Sequence, residues 1–180
     1  MKRLYPLALA LAALLPGAAL ACEPPAIFYV PFEHAAQGAD PAGIAAFVSR
    51  TKPVVANTSV ARGAPGEPSL CGGMGYIDFE IALPPGAPFS FGQIGVEIRL
   101  AEGRFHDHVF PKGPVMPHDP SDRTLHLGNA WYDGQPSEQQ PINAAFNVVL
   151  VAPDGTRGPA TRIVLKSRPN AASRKEGGTR

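Results

Sequence analysis

Between residues 76 and 100 the chain alternates apolar and polar positions with a period of two. Ile77, Phe79, Ile81 and Leu83 alternate with Tyr76, Asp78, Glu80 and Ala82; Ile94, Val96, Ile98 and Leu100 alternate with Gln93, Gly95, Glu97 and Arg99. Successive strand residues point to opposite faces, so both segments are predicted strands with one face in water. Glu80 and Glu97 then lie on the wet faces of neighbouring strands, joined by the proline-set loop Pro84-Pro85-Gly86-Ala87-Pro88. Shorter apolar runs predict strands at Ala26–Val30, Val54–Val60, Phe105–Phe110, Arg123–Leu127, Ala145–Val151 and Thr161–Lys166. A single short helix is predicted from Asp40, an N-cap followed by Pro41, with Ile44, Phe47 and Val48 at helical spacing. Seven or eight short strands punctuated by turns, with one helix, predict an all-β sandwich.

The most strongly marked element is the last hairpin. Phe146-Asn147-Val148-Val149-Leu150-Val151-Ala152 enters the turn Pro153-Asp154-Gly155-Thr156-Arg157-Gly158-Pro159, and Thr161-Arg162-Ile163-Val164-Leu165 returns. These residues resemble the closing strand pair of fibronectin type III and related immunoglobulin-like domains. The resemblance implies an immunoglobulin-like sandwich and no particular activity, because such folds host many functions. The chain departs from that pattern in one respect: the aromatic residue of the penultimate strand is Phe146, which cannot make the tyrosine-corner hydrogen bond.

The N-terminal residues change the compartment expected for this domain. Lys2 and Arg3 precede an apolar run from Leu4 to Leu15, and Ala19-Leu20-Ala21 precedes Cys22, the layout of a secretory signal peptide over residues 1–21. The apolar run is shorter than the ~20 residues a membrane-spanning helix needs, and no comparable run follows. Export places the protein in the periplasm or outside the cell. Its two cysteines, Cys22 and Cys71, can then form a disulfide closing a loop of about 50 residues and stabilising the fold by roughly 4 kcal/mol. A lipid anchor on Cys22 is the alternative; Ala19 stands where lipoprotein signals usually carry Leu.

With Lys2 and Arg3 removed, acidic and basic side chains nearly balance. Arg168, Arg174, Lys175 and Arg180 outnumber Glu176 in the last 14 residues, which leaves the body at 22–166 slightly acidic and predicts a disordered basic tail at 167–180. Such a body offers no electrostatic attraction for nucleic acid.

Candidate chemistry is sparse. His106, His108, His118 and His126 fall close together among Asp107, Asp119 and Asp122. On a predicted strand His106 and His108 share a face, and His118 or His126 could complete a zinc or copper site. The order resembles the histidine-rich ligand region of copper-zinc superoxide dismutases, which implies an exported β-sandwich metal protein. That family adds a histidine from a later strand, and none follows His126 here. The competing reading is a solvated, proline-bounded loop, in which Pro111, Gly113, Pro114 and Pro117 keep His118 away from the other imidazoles.

Trp131, Tyr132 and Asp133 have two readings as well: an aromatic platform for sugar rings, or a core tryptophan packed between sheets. No Gly-x-Ser-x-Gly elbow is present, and Cys71-Gly72-Gly73-Met74-Gly75 lacks the lysine of a phosphate loop. Asn57-Thr58-Ser59 matches a glycosylation sequon, relevant only in a eukaryotic host. The expectation is therefore a non-catalytic binding or structural module of the cell envelope, with a protein or glycan partner and no cofactor. A periplasmic copper or zinc binder is the alternative.

Overall fold

The computed structural model describes residues 29–34, 40–63, 73–106 and 108–170. The signal segment, Cys22, Cys71 and Asp107 lie outside the described residues, as does the tail beyond Asn170. Eight strands, all paired antiparallel, make up nearly half of the described chain: β1 (Tyr29–Pro31), β2 (Val54–Ala61), β3 (Met74–Ala82), β4 (Gly95–Gly103), β5 (Val115–Pro117), β6 (Thr124–Tyr132), β7 (Ile142–Val151) and β8 (Thr161–Ser167). They form two sheets, ordered β1-β5-β4-β7-β8 and β2-β3-β6. No helix among the described residues is long and apolar enough to cross a membrane.

Strand alternation builds the core as expected on β3, where Ile77, Phe79 and Ile81 are fully enclosed. Leu125, Leu127 and Trp131 of β6 join them, and Val96, Ile98, Phe146, Val148, Leu150, Ile163 and Leu165 face them from the other sheet. The helix α1 (Pro41–Val48) begins where the cap predicts: Asp40 Oδ1 accepts a hydrogen bond from Gly43 N at 2.8 Å, and Ile44 and Val48 are buried. A side-chain acceptor at this position replaces a missing intrahelical partner.

Four expectations are corrected. The described residues of Phe105–Phe110 are not a strand but irregular segments following β4. Their apolar residues are anchors: Phe105 and Phe110 lie against Phe146 with ring centroids at 5.6 and 4.9 Å, and Val109 is buried. The short β5, inside the segment read as a solvated loop, is fully buried and pairs with β1 and with Val96. Three residues, preceded by Pro114 and ending in Pro117, are too few to show an alternation. Glu80 and Glu97 belong to different sheets, and Glu97 is not wet: Arg99 and Arg157 bond its two oxygens and leave it 3% exposed. Burial alone would push the Glu97 carboxyl up, but these two guanidinium partners hold it below its ordinary value. Finally, Ser167 to Asn170 are part of the fold rather than tail; Asn170 N donates to Gln139 Oε1 at 2.8 Å.

The predicted final hairpin is present, with Phe146 opposite Ile163 and Val148 opposite Thr161. Phe146 occupies the centre of an aromatic cluster, touching Phe79, Phe105 and Phe110. Phe146→Ala removes a fully buried ring that three others rest on, and it is expected to lower unfolding free energy by about 3–5 kcal/mol in urea titration. A loss under 1 kcal/mol would show that the cluster does not hold the sheets together.

Candidate functional site

At one end of the two sheets, polar groups have been drawn into the interior. Arg62, just past β2, places Nε 2.7 Å from Asp133 Oδ2 and Nη2 2.8 Å from Asp133 Oδ1. Asp133 follows β6 directly, so the bidentate pair ties the ends of the two edge strands of the smaller sheet. The carboxylate also accepts from Gly63 N at 2.9 Å and from the Trp131 indole Nε1 at 3.2 Å. Both charged side chains are only 4% exposed. Burial pushes the Asp133 carboxyl up, but the donors from Arg62, Gly63 and Trp131 outweigh it and hold the group below its ordinary value.

Backbone groups around the pair are met with equal care. Gln139 Nε2 donates to Gly63 O, while Asn170 Nδ2 donates to Arg62 O at 3.3 Å and Gly63 O at 3.2 Å. Arg62 Nη2 also donates to Gln140 O at 2.8 Å. Among the described residues one atom of this junction is left over: Arg62 Nη1 is buried and has no hydrogen-bond partner.

The junction forms one wall of a depression of about 660 Å³, whose other walls include Arg104, Phe105, His106, Trp131 and Tyr132. Trp131 lies opposite Gly75 on β3, and its indole sits where a side chain at 75 would be: a Cβ there would fall 2.4 Å from Cζ2. Glycine at this position is thus required by close approach. Phe105 meets the indole edge-on at 5.3 Å, and the His106 imidazole stacks on it at 6.1 Å and 28°.

The sequence-derived candidates are distributed as follows. Trp131 is a core residue, 5% exposed, that also lines the depression; Tyr132 is 67% exposed at its rim; Asp133 is structural, committed to Arg62. The four histidines are not brought to one place. His106 belongs to the Trp131 depression, whereas His118 and His126 line a second one of about 580 Å³ with Tyr76, Asp78, Asp119 and Asp122. His106 and His108 do not share a strand face, because their segment is a loop pinned by its phenylalanines. Among the described residues, no three His, Cys, Asp or Glu side chains are arranged to hold a metal ion. The zinc or copper set of His106, His108, His118 and His126 is not assembled in this structure.

Sequence reading missed Arg62, Gln139 and Asn170. Most of their partners lie 31 to 108 positions away along the chain, and an isolated Arg or Gln in a loop carries no periodic signal.

Removing one partner of a buried pair strands the other charge. Asp133→Ala is expected to cost about 3–5 kcal/mol in chemical denaturation. Because the folded carboxyl titrates below its unfolded value near 3.8, its stabilisation is complete above that value and disappears as pH falls through the folded pKa. Wild type should therefore lose stability on acidification below about pH 4 more steeply than Asp133→Ala; parallel profiles would show that the pair contributes nothing. No protein-family model matches this sequence, and no curated protein matches it significantly, so the site stands on its geometry alone.

Proposed function

We propose that this protein is an exported, non-catalytic binding module of the cell envelope, and that it holds a sugar ring of an envelope glycan in the Trp131–Tyr132 depression. The observation that carries this reading is the combination of aromatic surfaces with buried hydrogen-bonding groups. Tyr132 is exposed at the rim, the exposed His106 ring lies stacked on the buried Trp131 indole, and Arg62 lies beside them. Ligand sites of this kind pair an apolar or aromatic lining with a few fixed polar groups. Sugar rings suit such a lining because their C–H faces rest on aromatic planes while their hydroxyls seek donors and acceptors.

The proposal includes the immunoglobulin-like, fibronectin type III-like type of sandwich, supported by the paired closing hairpin. It also includes export by the segment at 1–21 and a Cys22–Cys71 bridge, supported by the signal-like N-terminus and the even cysteine count. Intact mass of the exported protein should correspond to a chain starting at Cys22, with no thiol reacting after unfolding without reductant. Added acyl mass would replace the soluble form with a lipoprotein, and two reactive thiols would remove the bridge.

Trp131 is the only tryptophan in the chain, so its fluorescence reports on the depression without labelling. Cell-envelope polysaccharide is expected to shift that emission saturably. Tyr132→Ala, at a rim position that bears no core load, is expected to weaken binding about three- to tenfold, the value of one aromatic contact. Absence of binding, or equal binding by this variant, would overturn the reading.

A further inference from the structure

Strand β6 carries a glycine that the fold itself does not use. Glycine weakens a strand, and it is kept there for a bulge, a left-handed backbone or the close approach of another group. Trp131 and Phe32 occupy the space of a side chain at Gly75 and Gly95, and Gly103 has φ +83. Gly128 has none of these reasons. Its φ is not positive, β6 pairs with β3 through it without a register shift, and a Cβ there would meet only Asp78 Oδ1, at 3.4 Å. Leu125 and Leu127 face the core, so Gly128 faces outward. There it opens into the depression of about 580 Å³, whose walls include Tyr76, Pro117 and Thr124. Tyr76, Thr124 and Gly128 are half-buried, so this lining is open to a ligand.

The fixed charge around this space is of one sign. Asp78, opposite Gly128, lines it together with Asp119 and Asp122 from the loop after β5, and no lysine or arginine does. None of the three forms an ion pair among the described residues. Asp119 Oδ1 accepts from Ser121 Oγ and N at 2.7 and 2.8 Å, which holds that carboxyl below its ordinary range. His118 and His126 are exposed on the rim and count as neutral at pH 7. A cleft of one charge sign with low-dielectric walls concentrates ions of the other sign. Among the described residues no three carboxylates or imidazoles are arranged to hold a metal ion, so the acceptors stand around the space rather than closing on a point.

We propose that this depression is a second ligand site, for a small organic cation with an apolar body. The body lies against Tyr76, Pro117 and Thr124 in the space that Gly128 leaves, and its ammonium or guanidinium group is received by Asp78, with Asp119 and Asp122 at the rim. The volume is that of ordinary small-molecule sites, about 300–1,000 Å³, and an aromatic ring beside carboxylates favours a cation twice over. The site shares no lining residue with the Trp131–Tyr132 depression and does not depend on the glycan reading.

The probe is 2-phenylethylamine, titrated calorimetrically into the mature protein at pH 8 to keep ordinary imidazoles neutral. Its neutral and anionic counterparts, 2-phenylethanol and phenylacetate, are titrated beside it. The amine is expected to bind saturably with a Kd of about 1 mM or tighter, the alcohol at least about tenfold more weakly and the acid not at all. Added salt should weaken the amine's binding. Gly128→Val fills the space from an outward strand position that suits a β-branched side chain, so it is expected to abolish binding while the urea midpoint stays at or above that of wild type. Asp78→Asn keeps the shape of the wall and removes its charge, and it should weaken the amine about tenfold whatever valine does to stability. No saturable binding of the amine, equal binding of amine and alcohol, or amine binding unchanged in either variant would overturn the proposal.

Discussion

A charged pair removed from water constrains this molecule more than any other single feature. Desolvating a carboxylate and a guanidinium costs several kcal/mol each, and their attraction recovers that cost only when geometry is good and the remaining polar atoms are met. Asp133 satisfies the condition with four donors, two from Arg62 and one each from Gly63 and Trp131. The same requirement recruits Gln139 and Asn170 to the neighbouring carbonyls. Two edge strands, the loop after β6 and the segment after β8 are thereby held at one end of the fold.

That fixed end explains the depression beside it. Trp131 reaches Asp133 through its indole N–H and covers Gly75, so the ring has little freedom to turn. The loop after β4 closes the other side by inserting Phe105 and Phe110 among the core aromatics, which leaves His106 stacked on the indole. Polar junction and aromatic insertion meet at Trp131. A cavity bounded by two such rigid structures is preorganised, and little binding energy is lost in ordering its walls.

Glu97 offers an instructive contrast. It too is a buried carboxylate between guanidinium groups, but its partners Arg99 and Arg157 are themselves half exposed, with side chains 61% and 47% accessible. Water reaches that pair's cationic side and screens it. It closes the β7–β8 turn over the outer face of the larger sheet, where Arg157 lines a smaller depression together with Phe32. Both groups are held deprotonated by arginine, yet only in the pair beside Trp131 are both partners enclosed.

Local pattern made several elements legible. The alternation of Tyr76 to Leu83 and of Phe146 to Val151 follows from the two-residue repeat of a strand with one covered face, and Asp40-Pro41 specifies a helix start through a hydrogen bond three residues long. Pattern misled where burial did not alternate: Glu97 lies on the outward face yet is covered, and Phe105 to Phe110 is apolar because it is anchored, not because it is extended. The histidines showed the limit of proximity in sequence, since a loop carries His106 to one depression while His118 and His126 go to another. By itself the sequence determined the β-rich class, most strand positions and the helix cap, because these depend on contacts within a few residues. Only the tertiary structure decided the site, because Arg62 and Asp133 become a pair, and Trp131 a wall, through contacts between chain segments up to about 70 positions apart.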